Sequence, residues 1–153
     1  MAEIRVAVAD ARGETAQALL SAHWDYCCAS TPPEFRHAMP ADAFSAPDLT
    51  LWLAWEGDRA LGCGALRDLG GAGEIKAMHT LATARGRGVG QAVLAAIIDA
   101  ARARGMAWVA LETGSDPAFA AARRLYQAAG FARSGPFADY ADVPQSAFYR
   151  LAL

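Results

Sequence analysis

Apolar and polar positions alternate over residues 4–8, which predicts a first strand with one covered face. Helical spacing takes over from about Glu14 to Cys28, with Ala18, Leu19 and Ala22 on one side. Residues 29–47 carry Pro32, Pro33, Pro40 and Pro47, which suit neither a long helix nor a strand. That stretch reads as a loop with one short helix, the kind of segment that holds substrate contacts when laid over a rigid scaffold. Residues 50–56 form the next predicted strand, Gly57-Asp58 a two-residue turn, and 59–67 its returning partner. After the glycine-rich turn 70–73, a further strand is expected over residues 74–81.

Val89, Val93, Leu94, Ile97, Ile98 and Ala101 then recur at helical spacing, with Asp99, Arg102 and Arg104 elsewhere on the wheel and Gly105 at the close. Residues 106–112 are nearly all apolar, as expected for a strand covered on both faces. Ser115-Asp116-Pro117 predicts a helix start, with a capping side chain and proline in the first turn. Phe119, Ala122, Leu125, Tyr126 and Ala129 mark that helix's buried stripe, and Gly130 its end. Residues 131–135 and 145–153 supply the last strands. The order β-α-loop-β-β-β-α-β-α-β-β predicts one α/β domain over 1–153, a mixed sheet with helices on both faces.

Composition narrows the functional classes. With 54% hydrophobic and 20% charged residues the chain is globular, not disordered. A net charge of -2 offers no basic excess for a nucleic-acid partner. No apolar run is long enough to span a membrane, and the first residues lack a secretory pattern, so a cytoplasmic protein is expected. Cys27, Cys28 and Cys63 do not form a disulfide framework, and His23 and His37 have no ligand spacing to them, so no metal is expected.

The chemistry concentrates at Arg85-Gly-Arg-Gly-Val-Gly90, which follows a strand and opens a helix. Glycines let the backbone approach a ligand, and the first helical amides have no partner within the helix. With the helix dipole, these features make a main-chain site for a pyrophosphate, rimmed by Arg85 and Arg87. A nucleotide phosphate loop would need lysine after the last glycine, where Gln91 and Ala92 stand. A dinucleotide fingerprint would need a third glycine where Gln91 or Val93 stands. The plainer alternative is that the glycines only shape a turn.

Arg85-x-x-Gly88-x-Gly90 resembles the Gln/Arg-x-x-Gly-x-Gly/Ala signature of the GNAT acetyltransferases. Leu125-Tyr126-Gln-Ala-Ala-Gly130-Phe131 resembles that family's Leu-Tyr-x-x-x-Gly-Phe. Gly73-Glu-Ile-Lys-x-Met78, Leu111-Glu-Thr-Gly-Ser115 and Gly135-Pro-Phe-Ala-Asp-Tyr140 look like its small bacterial YsnE-type branch. The resemblance implies a mostly antiparallel sheet of six to seven strands and acetyl-CoA as cosubstrate. The implied reaction is direct attack on the thioester by the primary amine of a small or amino-acid-like acceptor. The resemblance places the cofactor along Met78, His79 and Thr80 and over Arg85, Gly86, Arg87, Gly88, Val89, Gly90 and Gln91. One departure is Phe119, where many relatives carry an asparagine that contacts the cofactor arm; Ser115 is the nearest polar substitute.

Such a reaction needs a base for the amine, polarisation of the thioester oxygen and an acid for the leaving thiolate. The resemblance gives the acid to Tyr126. Glu74 and Glu112, on strands that splay apart in this fold, are the candidate bases, Glu74 ranked first. Regular alternation would put Glu74, Lys76 and Met78 on one face of their strand, with His79 turned away. Lys76, Thr113, Asp139 and Tyr140 are the candidate acceptor contacts. Trp24 and Tyr26 could line the same cleft from the first helix. A non-catalytic sensor that binds acyl-CoA without turnover is the rival reading. Either a monomer or a homodimer fits the resemblance.

Overall fold

The computed structural model describes residues 3–153. Seven strands form one sheet in the order β1-β2-β3-β4-β5-β7-β6. They are β1 Arg5–Ala9, β2 Leu49–Glu56, β3 Arg59–Asp68, β4 Gly73–Thr80, β5 Trp108–Gly114, β6 Ala132–Ser134 and β7 Ser146–Ala152. Every neighbouring pair is antiparallel except β4 and β5, which run parallel. The helices are α1 Glu14–Ser30, α2 Val89–Ala103 and α3 Ala120–Ala128. These elements match the expected order, with boundaries displaced by a few residues.

Alternation along the strands sorts the core into two layers. Leu51, Leu53, Cys63 and Ala65 face Leu19 and Leu20 of α1. Trp52, Ala54, Leu66, Ile75, Val109 and Leu111 face the other way, against Val89, Val93, Leu94, Ile97 and Ile98 of α2 and Tyr126 of α3. Each fully buried aliphatic side chain in such a layer contributes about 1.5–3 kcal/mol. Gly62 and Gly64 let α2 approach the sheet: a Cβ on Gly64 would come within 2.7 Å of Val93 and 2.9 Å of Ile97.

Three local expectations are corrected. Residues 29–47 hold two short 3-10 turns, Pro33–Phe35 and Ala41–Ser45, not one helix. The segment after β5 begins as a 3-10 turn, Pro117–Phe119, and no side chain caps it or α3. Ser115 instead donates its hydroxyl to the Pro144 carbonyl at 2.6 Å. Finally, of the predicted stripe on α3 only Tyr126 is buried, while Ala129 is exposed and Phe119, Ala122 and Leu125 are half-buried. Those three are apolar because they line a cleft.

The largest departure from regularity lies in β4. Cys63 pairs with His79 and Ala65 with Lys76, so two residues, Ala77 and Met78, oppose Gly64 alone. This is a β-bulge, and Ala77 takes the left-handed conformation at φ 56°. The thiol of Cys63 donates to the freed Ala77 carbonyl at 3.3 Å. Burial pushes that thiol up to about 12, so it stays a donor. The bulge shifts the alternation by one: Glu74, Lys76 and His79 share the α1 face, while Met78 packs toward α2. The expectation that Met78 joins Glu74 and Lys76, with His79 turned away, is therefore wrong.

Candidate active site

β4 and β5 pair only at Gly73 with Val109 and Glu74 with Ala110. Beyond that point they diverge, and a cleft of about 850 Å³ opens between them. β4 lines it from Glu74 to Thr80, β5 with Glu112, Thr113 and Gly114, α1 with His23, Tyr26 and Cys27, and α3 with Leu125 and Tyr126. Past Glu74 the β5-facing edge of β4 has no strand partner, so its main-chain donors and acceptors are left to a ligand.

The glycine-rich turn closes one end. Gly86 and Gly88 have φ values of 76° and 81°, where side chains other than glycine are strained. A Cβ on Gly86 would meet nothing within 4 Å, and one on Gly88 would meet only the Gln91 side chain at 3.7 Å. The backbone there faces open space that a side chain would fill. The first helical bond of α2 runs from the Ala92 amide to the Gly88 carbonyl at 3.0 Å, so the preceding amides of Val89, Gly90 and Gln91 are free of the helix. This turn fits a pyrophosphate. Arg85 lies at the cleft and stacks over the Tyr26 ring at 5.6 Å. Arg87 does not: it pairs with Glu56 and is absent from the cleft wall.

At the other end, Glu74 is buried in a polar cluster. Its Oε2 accepts from Tyr140 and lies 3.3 Å from Lys76 Nζ, and its Oε1 lies 3.6 Å from Arg67. Lys76 Nζ also donates to the Tyr140 hydroxyl at 3.1 Å. Among the described residues the Glu112 carboxylate has one hydrogen bond, from Ser146 Oγ at 2.6 Å. Burial raises its carboxyl above the usual range, partly offset by Ser146. The structure brings Glu74, Lys76, Glu112, Thr113 and Tyr140 to this cleft, but not Asp139, which is exposed and outside it.

Tyr126 is 5% exposed, and its hydroxyl makes no hydrogen bond among the described residues. Burial, followed by the charges of Glu112 and Cys27, pushes the phenol above its ordinary value, so it carries a proton at neutral pH. Phe119 packs over Gly114, where a Cβ would come within 3 Å of its ring. It also meets Tyr26 edge-on at 5.8 Å, and Tyr26 donates to the Ala118 carbonyl at 2.5 Å. Together they bridge the two walls of the cleft.

Arg36, His37, His23 and Cys27 line the cleft although no motif marks them. Arg36 and His37, from the proline-rich stretch, line the cleft, His37 against Tyr140. His23 and His79 approach at 3.2 Å between Nδ1 atoms, and Cys27 Sγ lies 3.6 Å from His23 Nε2. Burial lowers both imidazoles, His23 to about 4, and raises the Cys27 thiol to about 11, so the three side chains carry no charge at neutral pH. Among the described residues no three His, Cys, Asp or Glu side chains gather as a metal site would require, and no helix is long and apolar enough to cross a membrane.

Comparison with known proteins fixes the family. The acetyltransferase (GNAT) family profile matches residues 16–131. The chain is 40% identical over 146 residues to the N-acetyltransferase YsnE of Bacillus subtilis, itself described as uncharacterized, covering 95% of this chain and 97% of that one. This chain belongs to the GNAT acetyltransferase family. As a GNAT protein it is an acyltransferase, similar to the YsnE branch. It is also similar to a protein of Azospirillum brasilense named IAA acetyltransferase, with 39% identity over 119 residues and 76% of each chain covered. Its fold matches a Klebsiella pneumoniae structure described as an acyl-CoA N-acyltransferase, with TM-score 0.79, 26% identity, and 100% and 99% of the two chains covered.

Proposed function

We propose that this GNAT protein transfers an acetyl group from acetyl-CoA to the primary amine of a small acceptor, with both substrates bound together. The observation that carries the reading is the splay of β4 from β5. It joins a phosphate-type turn at one end to a polar, carboxylate-bearing pocket at the other through one continuous cleft.

The amides of Val89, Gly90 and Gln91, at the positive end of α2, would hold the pyrophosphate, with Arg85 adding a full charge. The free edge of β4 from Met78 to Thr80 suits an extended arm that carries amides, paired as an added strand would be. Leu125 and Ala122 give that arm an apolar wall. A main-chain amide on the same edge would polarise the thioester oxygen as negative charge develops there.

Of the two carboxylates, Glu112 suits the base better than Glu74. Glu74 is already engaged by Tyr140, Lys76 and Arg67, whereas Glu112 has one donor and a raised affinity for protons. Glu112 takes a proton from the acceptor ammonium. The freed nitrogen lone pair attacks the thioester carbonyl carbon, the C–S bond breaks, Tyr126 donates its phenolic proton to the departing sulfur, and the surplus proton on nitrogen restores the phenol while Glu112 releases its own to solvent. The products are the N-acetyl amine and coenzyme A with its thiol restored. Lys76, Thr113 and Tyr140 would shape the acceptor pocket. An assay for thiol release from acetyl-CoA over a panel of amines tests this reading. Coenzyme A binding without thiol release on any amine would leave only a sensor.

A further inference from the structure

Resting on the reading above, we propose that the acceptor carries an anionic group, in the simplest case a carboxylate, beside its amine, and that Arg36 and His37 recognise it. Phe35, Arg36, His37 and Met39 form one wall of the acceptor end. The Arg36 guanidinium is held by main-chain oxygens, with Nη2 donating to Cys28 at 3.2 Å and Thr31 at 2.8 Å, and it stacks over Trp24 at 5.8 Å. These contacts fix its position and leave its charge uncompensated: among the described residues no carboxylate pairs with it.

The other cations are accounted for. Lys76 shares Glu74, and Arg67 lies between Glu74 and Asp48. Arg85 belongs to the glycine-rich turn, and Arg124 lies on α3, whose Leu125 approaches the Gly90 position of that turn. Arg36 is thus the cation that the acceptor end leaves unpaired. His37, its neighbour in the chain, lines the same wall. The His37 ring packs edge-on against Tyr140 at 4.9 Å, which places the pair beside the Glu74–Lys76 cluster. A molecule of amino-acid size would present its amine toward Glu112 and its anion toward Arg36. The surplus positive charge would disfavour polyamines.

Arg36 could instead serve only to cap the last carbonyls of α1. Calorimetry on the coenzyme A-loaded protein separates the two roles. The probes are N-acetylphenylalanine and N-acetylmethionine against their carboxamides, which keep the shape and lose the charge. We expect the acids to bind at least ten-fold more tightly. Arg36→Gln should cut that preference by about ten- to a hundred-fold, the range of one charge-assisted contact, and Arg36→Lys should restore part of it. Equal binding of acid and amide by the wild type, or no binding by either, overturns the proposal. So does a loss in Arg36→Gln that falls equally on both. Should Arg36→Gln fail to fold, the wild-type and Arg36→Lys ratios still decide. Thiol release with phenylalanine and phenylalaninamide is measured in parallel. A charge preference without turnover would keep the anion subsite and remove the transferase reading, and turnover without preference would do the reverse.

Discussion

The hydroxyl of Tyr140 donates to Oε2 of Glu74, although the two residues lie 66 positions apart. The contact ties the late loop before β7 to the base of the splay. Burial and the Glu74 charge hold the phenol well above its ordinary value, so it remains a donor at any workable pH. Tyr140→Phe removes that donor, but Lys76 and Arg67 still hold the carboxylate. We expect the acceptor KM to rise about three- to ten-fold, within what one hydrogen bond to a charged group is worth. Coenzyme A affinity should not change. Steady-state kinetics with the amine varied, beside calorimetry with coenzyme A, checks both.

Tyr126→Phe keeps the ring against Phe131 and Tyr149, 5.9 and 6.3 Å away between centroids. Among the described residues its hydroxyl has no hydrogen bond to lose, so the melting temperature should hold. If the phenol protonates the leaving sulfur, kcat should fall by up to about 100-fold, at the lower end of what positioned proton transfer contributes. Wild-type turnover in a mutant with a wild-type melt would assign Tyr126 to packing.

Gly88 and Gly105 both have positive φ, 81° and 73°, at opposite ends of α2. Valine at either site is strained by about 1–3 kcal/mol. Both variants should therefore melt earlier by similar amounts. Only Gly88→Val should weaken coenzyme A binding, by ten-fold or more in a calorimetric titration. An equal loss of affinity in Gly105→Val would show that strain, not the turn, sets the affinity.

Glu112 has a folded-state pKa raised by burial, while the unfolded chain titrates in the ordinary carboxylate range. The folded state thus holds the proton more tightly. Its contribution to stability is fully present below the unfolded value and is lost as pH rises through the folded value. Glu112→Gln cannot ionise, so its stability should gain on the wild type as pH rises above the ordinary carboxylate range. Melting curves across that rise in pH check the sign. As base, Glu112 must be ionised, so wild-type kcat/KM should fall on the acid side at a pH above the ordinary carboxylate range. Glu112→Gln should lose about 100-fold or more in activity.

Strand and helix order, the glycine-rich turn and the motif around Tyr126 were legible because each rests on local periodicity or spacing. The bulge was not. Alanine at position 77 gives no cue to a left-handed conformation, which is held there by pairing with β3 and by the Cys63 thiol. That one residue inverts the faces of Met78 and His79, so strict alternation misplaced both. The α3 stripe was legible as apolar but not as cleft-lining, because periodicity cannot tell a core from a groove. Arg87 shares its signature with the turn, yet Glu56 draws it away through a contact remote in sequence. Arg36 and His37 sit among prolines with no periodic signal, and only the fold brings them to Tyr140.

Acetyl transfer from acetyl-CoA to an amine in this cleft is the proposal on which every residue role above depends. The most direct measurement combines thiol release from acetyl-CoA, over amino acids and simple amines, with mass spectrometry of the acceptor. Amine-dependent release of coenzyme A is expected, matched one to one by a product heavier by an acetyl group, with both lost in Glu112→Gln. Tight acetyl-CoA binding with no amine-dependent thiol release, or release that leaves every amine unmodified, would contradict it.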